Sequence, residues 1–401
     1  MSTKVNKPTK IILFHIMREN FSGAQKNIYR LLINLDKDSI FPILVGQNDC
    51  PLSELAAKEG ITTRIIPFPK GLEVFDGDIL KLNIFTVYRF IQGIWKYNKT
   101  LIKECKRIRP EVIWCDNIRT FITLYITGRS LKAKMIWNIW SEPEGKIAWI
   151  VHRIGLVLAD RINLEYSAQG EKIFGRLMEL SSVRKKIVPI YTGVSDFEEM
   201  SGTDIRKELS LASHATLIVM TSNIVPGKGQ LDLIKSVERI GKAYDNVHLL
   251  IAGTPVDSSP ASIIYHQQVH DYVTEGNLSN SIHFIGWRSD MRDVFAESDI
   301  YVSTSYTESF PVAVREAMLA SLPVIVTDVG GTSELVDIGE NGYLFNPGDL
   351  ETLNQYLRSL IENTSLRKTM GLQSKRIIDT RFSTEKYVRD FEVMVKQLVA
   401  T

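Results

Sequence analysis

Cysteine is scarce in this sequence, and long hydrophobic runs are absent. The 401 residues include three cysteines, Cys50, Cys105 and Cys115, an odd number without paired spacing. This pattern supports neither a disulfide framework nor a zinc site. No run reaches the roughly 20 apolar residues of a membrane-spanning helix, and the apolar run near the start is too short and too interrupted for a signal peptide. We therefore expect a cytoplasmic protein without a bound metal.

The composition is that of a soluble globular protein. Hydrophobic residues make up 44% of the chain and charged residues 23%, and 401 residues suffice for two domains. The net charge of +2 conceals an asymmetry: residues 1–195 contain 30 Lys and Arg against 18 Asp and Glu (+12), and the remainder contains 18 against 28 (−10). The basic half favours an anionic partner such as a lipid phosphate, an acidic saccharide or a membrane surface. Nucleic acid is not expected, because no recognition motif accompanies the charge.

Short apolar runs alternate with helical segments, which predicts an α/β protein with mostly parallel sheets covered on both faces. The chain opens with a strand over 10–17, a turn at Gly23 and a helix over 24–35. This is the first unit of a Rossmann-like fold, in which the glycine allows close approach of a ligand; an ordinary tight turn is the alternative. We place a hinge at 193–201. Further strands are predicted at 41–46, 63–67, 111–115, 134–139, 161–166, 186–190, 217–221, 247–252, 282–285, 299–303, 323–327 and 342–345.

The segment 80–110 has helical periodicity, with apolar residues on one side and basic residues on the other. Such a helix can lie at an anionic bilayer surface. More often, this pattern belongs to a helix that packs on the core and exposes a solvated charged face, and both interpretations stay open. The segment contains one acidic residue, Glu104, and eight basic residues: Lys81, Arg89, Lys96, Lys99, Lys103, Lys106, Arg107 and Arg109.

The stretch 303–328 contains two glutamates with seven residues between them. A strand ending near Ser303 leads to a loop with Glu308 and then to a helix that we predict to begin at Pro311, because proline is tolerated at the first helical position. Glu316 then lies in the first turns, near the helix end that attracts anions. Two glutamates near one helix are usually a solvated face. Here they flank a row of backbone N–H groups, which can hold phosphates while the carboxylates hold diols.

The surrounding residues carry a longer match. The run ESFPVAVREAMLASLPVIVTDVGGTSELV resembles the nucleotide-sugar signature E-x-F-x-x-x-x-x-E-A-M-A-x-G-x-P-V of the retaining GT-B glycosyltransferases of family four (glycosyl transferases group 1). The resemblance implies two Rossmann-like domains facing across a cleft: an acceptor-binding domain over 1–194, a nucleotide-sugar-binding domain over 195–382 and a terminal helix over 383–401 that returns to the first domain. It covers the second domain closely and the first only in layout.

A second motif contains Lys228. Lys228 lies between Gly227 and Gly229 at a predicted strand-to-helix turn, where a mobile point charge can meet a diphosphate; a surface lysine in a turn is the alternative. The segment is similar to the family pattern R-x-x-P-x-K-G, with Asn223 in place of the arginine. Asn223 can donate hydrogen bonds but brings no charge, so we expect Lys228 to carry more of the leaving-group stabilisation.

The resemblance implies a donor site. Glu316 would hold the ribose diol, and Glu308 the hydroxyls of the transferred sugar. Glu308 and Lys228 are the predicted catalytic residues. Further contacts with the donor would come from Gly23, Asn223 and the backbone at Phe310, Pro311 and Val312. No cofactor beyond the donor substrate is expected.

Two further segments are assigned, the first by the same resemblance and the second from its residues. Gly286 and Trp287 end a strand where the family receives the nucleotide base, so Trp287 packs either beside the base or as a lid on the core. Gly330 and Gly331 are predicted to open another helix, with Thr332 as its N-cap.

The acceptor side departs from the family pattern. Where the family commonly places a histidine beside the reacting sugar, this chain has Trp140. Trp140 can stack on a sugar ring, and Glu142 or Glu144 can make polar contacts. Trp140 and Glu142 are the acceptor-side candidates.

The resemblance implies a retaining transferase. It would move a hexose-type sugar from a UDP- or GDP-linked donor to a saccharide or lipid-linked acceptor in envelope or capsular polysaccharide synthesis, peripherally at the inner face of the membrane. Charge must be stabilised as the diphosphate departs and an oxocarbenium-like centre forms. Because Asn223 and Trp140 depart from the pattern, the alternative is an inactive glycosyltransferase-like subunit that binds a nucleotide sugar or a partner protein.

Overall fold

A computed structural model of the chain describes residues 9–14, 23–46, 50–67, 84–143, 145–194 and 201–400. The chain divides into two compact units. Unit 1 comprises Met1–Gly193 together with Thr384–Thr401, and unit 2 comprises Val194–Ser383. The domain boundaries expected from the sequence, after residues 194 and 382, each lie one residue from these divisions. Most of the predicted hinge, over 195–200, lies outside the described residues.

The described residues of unit 1 form a seven-stranded parallel sheet in the order β3-β2-β1-β4-β5-β6-β7. Several of its strands are apolar runs buried on both faces, as parallel strands covered by helices require. The strands are β1 (Thr9–Phe14), β2 (Ile40–Gly46), β3 (Thr62–Ile65), β4 (Val112–Cys115), β5 (Lys134–Ile139), β6 (Arg161–Leu164) and β7 (Ile187–Pro189).

Helices cover both faces of this sheet. Alternate strand residues enter two separate cores; for example, Trp114 packs in one and Ile113 in the other. Helices α1 and α2 contribute to the first core, and α3, α4, α5 and α6 to the second. The helices are α1 (Gly23–Asn34), α2 (Pro51–Lys58), α3 (Ile84–Ile108), α4 (Ile118–Leu131), α5 (Lys146–Leu158), α6 (Gln169–Phe174) and α7 (Ser181–Arg184), with a 3₁₀ turn at Gly175–Glu179.

The described residues of unit 2 form a six-stranded parallel sheet in the order β10-β9-β8-β11-β12-β13. The strands are β8 (Thr216–Thr221), β9 (Val247–Ala252), β10 (Ile282–Gly286), β11 (Ile300–Ser303), β12 (Val324–Thr327) and β13 (Gly342–Phe345). The helices are α8 (Ile205–Glu208), α9 (Gln230–Gly241), α10 (Pro260–Glu275), α11 (Met291–Glu297), α12 (Val312–Leu319), α13 (Leu350–Glu362) and α14 (Thr364–Arg381), with 3₁₀ turns at Pro226–Lys228 and Thr332–Glu334.

The last helix, α15 (Thr384–Val399), belongs to unit 1. Its side chains Tyr387, Phe391, Met394 and Leu398 are buried and pack in the same core as α1. Their spacing of three or four residues places them on one face of the helix.

Two helix starts differ from the prediction. Pro311 precedes α12 with ψ of 121°, an extended value, so it occupies the N-cap position and the helix begins at Val312. Thr332 is not an N-cap: it is the first residue of a 3₁₀ turn, and its hydroxyl donates to the carbonyls of Thr327 and Val329 at 2.7 and 2.8 Å. In both places the element begins one residue away from its predicted start.

The exposed side of α3 is not wholly basic. Tyr88, Ile91 and Trp95 are exposed, while Tyr97 and Leu101 pack on the sheet. The predicted division into an apolar side and a basic side therefore fails in the first half of this helix. Among the described residues, no helix has both the length and the apolar character needed to cross a bilayer.

A histidine pair on adjacent strands should make unit 2 less stable in acid. His248 Nδ1 lies 3.2 Å from His283 Nε2, and burial lowers the pKa of both rings, with Arg206 lowering that of His248 further. Below about pH 6.5, the ordinary histidine pKa, the unfolded chain therefore binds more protons than the folded chain, and stability falls with pH.

We expect the urea midpoint to decrease between pH 7.5 and pH 5.5, and to decrease less in His283→Gln. Circular dichroism of the full chain measures this. The control is His214→Gln, since His214 is exposed in the loop before β8. Equal pH dependence in His283→Gln and the parent protein would contradict the assignment.

Candidate active site

The topology of unit 2 determines where its candidate residues meet. The strand order reverses between β8 and β11, because β9 and β10 continue on one side and β12 and β13 on the other. At such a switch point the loops after the two central strands separate and leave a crevice at the carboxyl ends. Lys228 follows β8 and Glu308 follows β11, so both predicted catalytic residues lie at this crevice.

Lys228 and Glu308 contact each other directly. The ammonium Nζ lies 2.6 Å from the carboxylate Oε1, and the side chains are only 27% and 16% exposed. A charge-assisted hydrogen bond of this length, partly shielded from water, is stronger than a surface ion pair. Without another anion in the crevice, each residue therefore neutralises the other.

Backbone contacts interlock the two loops. Thr304 Oγ1 donates to the carbonyl of Gly229 at 2.7 Å, and the N–H of Tyr306 donates to the carbonyl of Gly227 at 2.9 Å. Gly229 has φ of +70°, and a Cβ there would overlap the carbonyl oxygen of Thr304. A glycine is required at this approach, so the position of Lys228 is tied to the loop that carries Glu308.

Tyr306 adds a side-chain link that sequence reasoning missed. Its hydroxyl donates to Asp232 Oδ2 on α9 at 2.7 Å. This hydrogen bond raises the pKa of Tyr306 to about 12, because losing the proton would break it. The loop after β11 is thus held to both the turn and the helix that follow β8.

Glu308 and Glu316 both act on a buried tyrosine. Tyr301, in β11, is 1% exposed, and its hydroxyl lies 3.4 Å from Thr221 Oγ1. Burial raises the pKa of Tyr301, the hydrogen bond with Thr221 lowers it, and the negative charges of Glu308 and Glu316 raise it further. Glu316 is half-buried and lies on α12.

The residue before Glu316 orients the entry to α12. Arg315 is fully buried; its Nη2 donates to the carbonyl of Phe310 at 3.1 Å and its Nε to that of Pro311 at 3.4 Å. Its guanidinium also lies 4.5 Å from the centre of the Phe310 ring. In a trans peptide the C=O and the following N–H point in opposite directions. The N–H of Val312 therefore points away from Arg315, whereas Pro311 has no N–H to offer a ligand.

Two glycines after β12 support the same loop. Gly330 has φ of +60°, and a Cβ there would overlap the carbonyl oxygens of Glu308 and Ser309. The N–H of Gly331 donates to the carbonyl of Ser309 at 2.7 Å. The Gly-Gly pair thus lets the loop after β12 approach the backbone of Glu308 and Ser309 closely.

The remaining donor candidates of unit 2 lie at neighbouring strand ends. Asn223 is exposed, and its carbonyl accepts from Gln230 Nε2 at 2.9 Å. Gly286 ends β10 with φ of +66°, and its carbonyl accepts from the N–H of Gly253 at 2.7 Å. Trp287 is 75% exposed, so its interpretation as a lid on the core is wrong.

The candidates of unit 1 lie in three different environments. Gly23 is the exposed first residue of α1, and the turn before it, 15–22, lies outside the described residues. Trp140 follows β5, is half-buried and packs edge-to-face on Trp114 with ring centroids 6.3 Å apart. Its buried Nε1 has no hydrogen-bond partner among the described residues.

Glu142 is held at its carboxylate. Its Oε1 accepts from the Tyr166 hydroxyl at 2.6 Å and lies 3.5 Å from Lys172 Nζ. Glu144 lies outside the described residues. In the described part of the chain, no group of three or more His, Cys, Asp or Glu is arranged to hold a metal.

Parts of this chain are similar in sequence to known proteins. Residues 202–376 match the family model described as glycosyl transferases group 1. The chain is 23% identical to N-acetyl-alpha-D-glucosaminyl L-malate synthase of Bacillus anthracis over 244 residues, 60% of this chain and 61% of that protein. It is 26% identical to the capsular polysaccharide biosynthesis glycosyltransferase CapM of Staphylococcus aureus over 181 residues, 44% and 45% of the two chains. The matches therefore span less than two thirds of these relatives.

The likeness in structure extends over the whole chain. The crystal structure of HepE from Anabaena in complex with UDP aligns with a TM-score of 0.78 at 18% identity, covering 97% of this chain and 100% of that one. At this identity the likeness concerns the fold. The resemblance is confirmed for the fold and for the second half of the sequence: the chain has the GT-B fold, and its residues 202–376 match the model of the glycosyl transferases group 1 family.

Proposed function

We propose that this protein is a retaining glycosyltransferase. It moves a hexose-type sugar from a UDP- or GDP-linked donor to a saccharide or lipid-linked saccharide acceptor in envelope or capsular polysaccharide synthesis. The observation that carries the proposal is the Lys228–Glu308 pair at the switch point of unit 2, within the residues that match the family. The UDP bound to Anabaena HepE supports a uridine donor, and the capsular role of the Staphylococcus relative supports the setting.

Lys228 and Glu308 exchange partners when the donor binds. The diphosphate brings negative charge to Lys228 and competes with Glu308 for its ammonium. Glu308 is then available to accept hydrogen bonds from hydroxyls of the transferred sugar. In the same site Glu316 holds the ribose diol, and the outward N–H of Val312 at the α12 N-terminus donates to a phosphate oxygen. Gly23, Asn223 and the Phe310 backbone are proposed as further diphosphate contacts.

The reaction needs charge stabilisation more than a protein nucleophile. The bond from the anomeric carbon to the diphosphate oxygen breaks while an acceptor oxygen attacks from the same face, which retains the configuration. The acceptor proton passes to the departing phosphate. Lys228 and the helix N-terminus stabilise the charge on this leaving group. Because Asn223 replaces a charged residue, this stabilisation rests mainly on Lys228.

The acceptor side is proposed for unit 1. The buried indole N–H of Trp140, which has no hydrogen-bond partner in the described part of the chain, suits an acceptor hydroxyl, and Glu142 supplies a carboxylate fixed by Tyr166. The excess of basic residues through 195 favours an acceptor with an anionic lipid phosphate at a membrane surface.

A non-catalytic subunit is the second candidate. Two observations favour it: the exposed Asn223 brings no charge to the diphosphate, and Trp140 packs against Trp114 where the family commonly has a histidine. Such a subunit would bind a nucleotide sugar or a partner protein without transferring sugar.

Substitutions at the ion pair and at Glu316 distinguish these functions. We expect one nucleotide sugar to raise the melting temperature of the parent protein, and Glu316→Ala to abolish that shift because the ribose contact is lost. We expect Lys228→Met to reduce the transfer rate by about 10²–10³-fold, the usual effect of removing one donor to a developing anion. A nucleotide-sugar panel by thermal shift and a release assay for UDP or GDP measure these effects.

The matched control for this experiment is Lys242→Met, at an exposed lysine just after α9, which should leave both readouts unchanged. Transfer at the parent rate in Lys228→Met would refute its catalytic role. Donor binding without turnover on any acceptor in the parent protein would support the non-catalytic subunit.

The close approach of Gly330 gives an independent prediction. A Cβ in Gly330→Ala would push the Glu308–Ser309 backbone aside and strain a residue with positive φ. We expect a lower melting temperature and at least about 10-fold weaker donor binding, a loss of about 1.4 kcal/mol. Calorimetric titration with the donor measures the affinity.

Gly241→Ala is the control for this substitution, because Gly241 ends α9 and a Cβ there meets open space. This variant should bind the donor like the parent protein. If Gly330→Ala bound the donor with parental affinity, the Glu308 loop would not form part of the donor site.

A further inference from the structure

Exposed apolar side chains concentrate on one layer of unit 1. Among the described residues, eighteen large hydrophobic side chains are exposed, and eight of them lie on the successive helices α3, α4 and α5. An apolar patch of this kind on a folded protein usually marks an interaction surface. The eight residues, termed the apolar layer below, are Tyr88, Ile91, Trp95, Ile126, Ile147, Ile150, Ile154 and Val157.

Helix α5 has two apolar faces. Ile147, Ile150, Ile154 and Val157 are 47%, 58%, 48% and 73% exposed, and their spacing of three, four and three residues places them on one side of the helix. The opposite side, which includes Leu156, packs in the core beneath the sheet. Because the other face of α5 already packs on the sheet, core packing does not require these exposed side chains to be apolar.

The exposed stripe of α3 changes from apolar to basic along its length. Tyr88, Ile91 and Trp95 are about equally exposed, at 60%, 59% and 60%. One turn further along, the ammonium of Lys99 lies 5.2 Å from the Trp95 ring centre, and Lys103 follows at helical spacing. Tyrosine and tryptophan next to lysine are typical of helices that lie at the boundary between lipid headgroups and acyl chains.

The three helices form one layer. Their buried residues enter the same core, which lies on one face of the sheet, and α4 packs against both α3 and α5. Ile126, on α4, is 47% exposed between the stripes of its neighbours. The opposite face of the sheet is covered by α1, α2 and α15.

Positive charge concentrates on the same layer. Helices α3, α4 and α5 contain ten Lys and Arg against the single Glu104, whereas α1, α2 and α15 contain six Lys and Arg against four Asp and Glu. The ten basic residues are Arg89, Lys96, Lys99, Lys103, Lys106, Arg107, Arg119, Arg129, Lys146 and Arg153.

We propose that the apolar layer docks on an anionic lipid bilayer. The apolar side chains of α5 and of the first half of α3 enter the headgroup boundary, while flanking lysines and arginines contact lipid phosphates. A protein partner fits less well, because the centre of a protein interface is depleted of lysine. The inference deepens the proposed function, and the purpose of docking rests on that function. A transferase docked on the membrane would meet a lipid-linked acceptor where that acceptor is anchored.

Vesicle binding tests this surface without any nucleotide sugar. The full chain is sedimented with phosphatidylcholine vesicles and with vesicles containing 30% phosphatidylglycerol, at 50 and 500 mM NaCl. We expect binding to the anionic vesicles that weakens at least 10-fold at high salt, and little binding to the neutral ones. Ile150→Ser/Ile154→Ser should weaken binding at least 10-fold, and Lys99→Gln/Lys103→Gln should weaken it and reduce its salt dependence.

The control carries the same change on another surface. Ile263→Ser/Ile264→Ser alters two adjacent isoleucines on α10 of unit 2 that are 50% and 59% exposed, and it should bind vesicles like the parent protein. Equal binding to neutral and anionic vesicles, no binding to either, or equal loss in the control would overturn the proposal. The proposal would also be overturned if the parent protein did not bind vesicles but formed a dimer in light scattering, and if Ile150→Ser/Ile154→Ser dissociated that dimer.

Transfer to a soluble acceptor, measured separately, keeps the two proposals apart. Anionic vesicle binding with the expected variant effects supports the docking surface even if no transfer occurs, in which case the transferase proposal alone fails. Transfer by the parent protein without vesicle binding supports the enzyme and overturns the docking surface.

Discussion

The ion pair between Lys228 and Glu308 is the interaction on which the candidate site depends. Each side chain is mostly withdrawn from water, where opposite charges attract strongly and an unmatched charge is costly. The pair forms only if the loops after β8 and β11 keep their relative position. Thr304, Tyr306 and two glycines with positive φ hold that position. The ion pair also depends on what the crevice contains, because an anion that binds Lys228 displaces Glu308 from the lysine.

Much of this architecture could be predicted from the sequence, because a parallel strand covered on both faces is a continuous apolar run bounded by polar residues or glycine. The strands Lys134–Ile139, Val247–Ala252 and Gly342–Phe345 have the predicted bounds. Lys228 and Glu308 could be selected from their motifs. Their direct contact could not, since periodicity does not report how two loops 80 residues apart lie side by side.

The residues that prediction missed have roles that only tertiary structure creates. Tyr301 looks like an ordinary strand residue and Arg315 like an exposed helix residue, yet both are buried beside the candidate site. Periodicity also fails to predict burial where a helix is apolar on two sides. In α3 and α5 it identifies both apolar sides but not which of them packs on the sheet. Trp287 is an error in the other direction, because it is exposed although one interpretation of the sequence placed it on the core. An aromatic residue at a strand end does not reveal whether a core lies beneath it.

The place of α15 has a consequence for the order in which the protein is made. Unit 1 is discontinuous in sequence, because unit 2 is inserted between residue 193 and α15. On the ribosome, the sheet of unit 1 therefore emerges before the helix that supplies Phe391, Met394 and Leu398 to its core. All of unit 2 is synthesised in the interval. Nascent unit 1 has a partly uncovered apolar sheet face for that time, because α1 and α2 cover only the rest of it, so unit 2 can complete its core first although its residues emerge later.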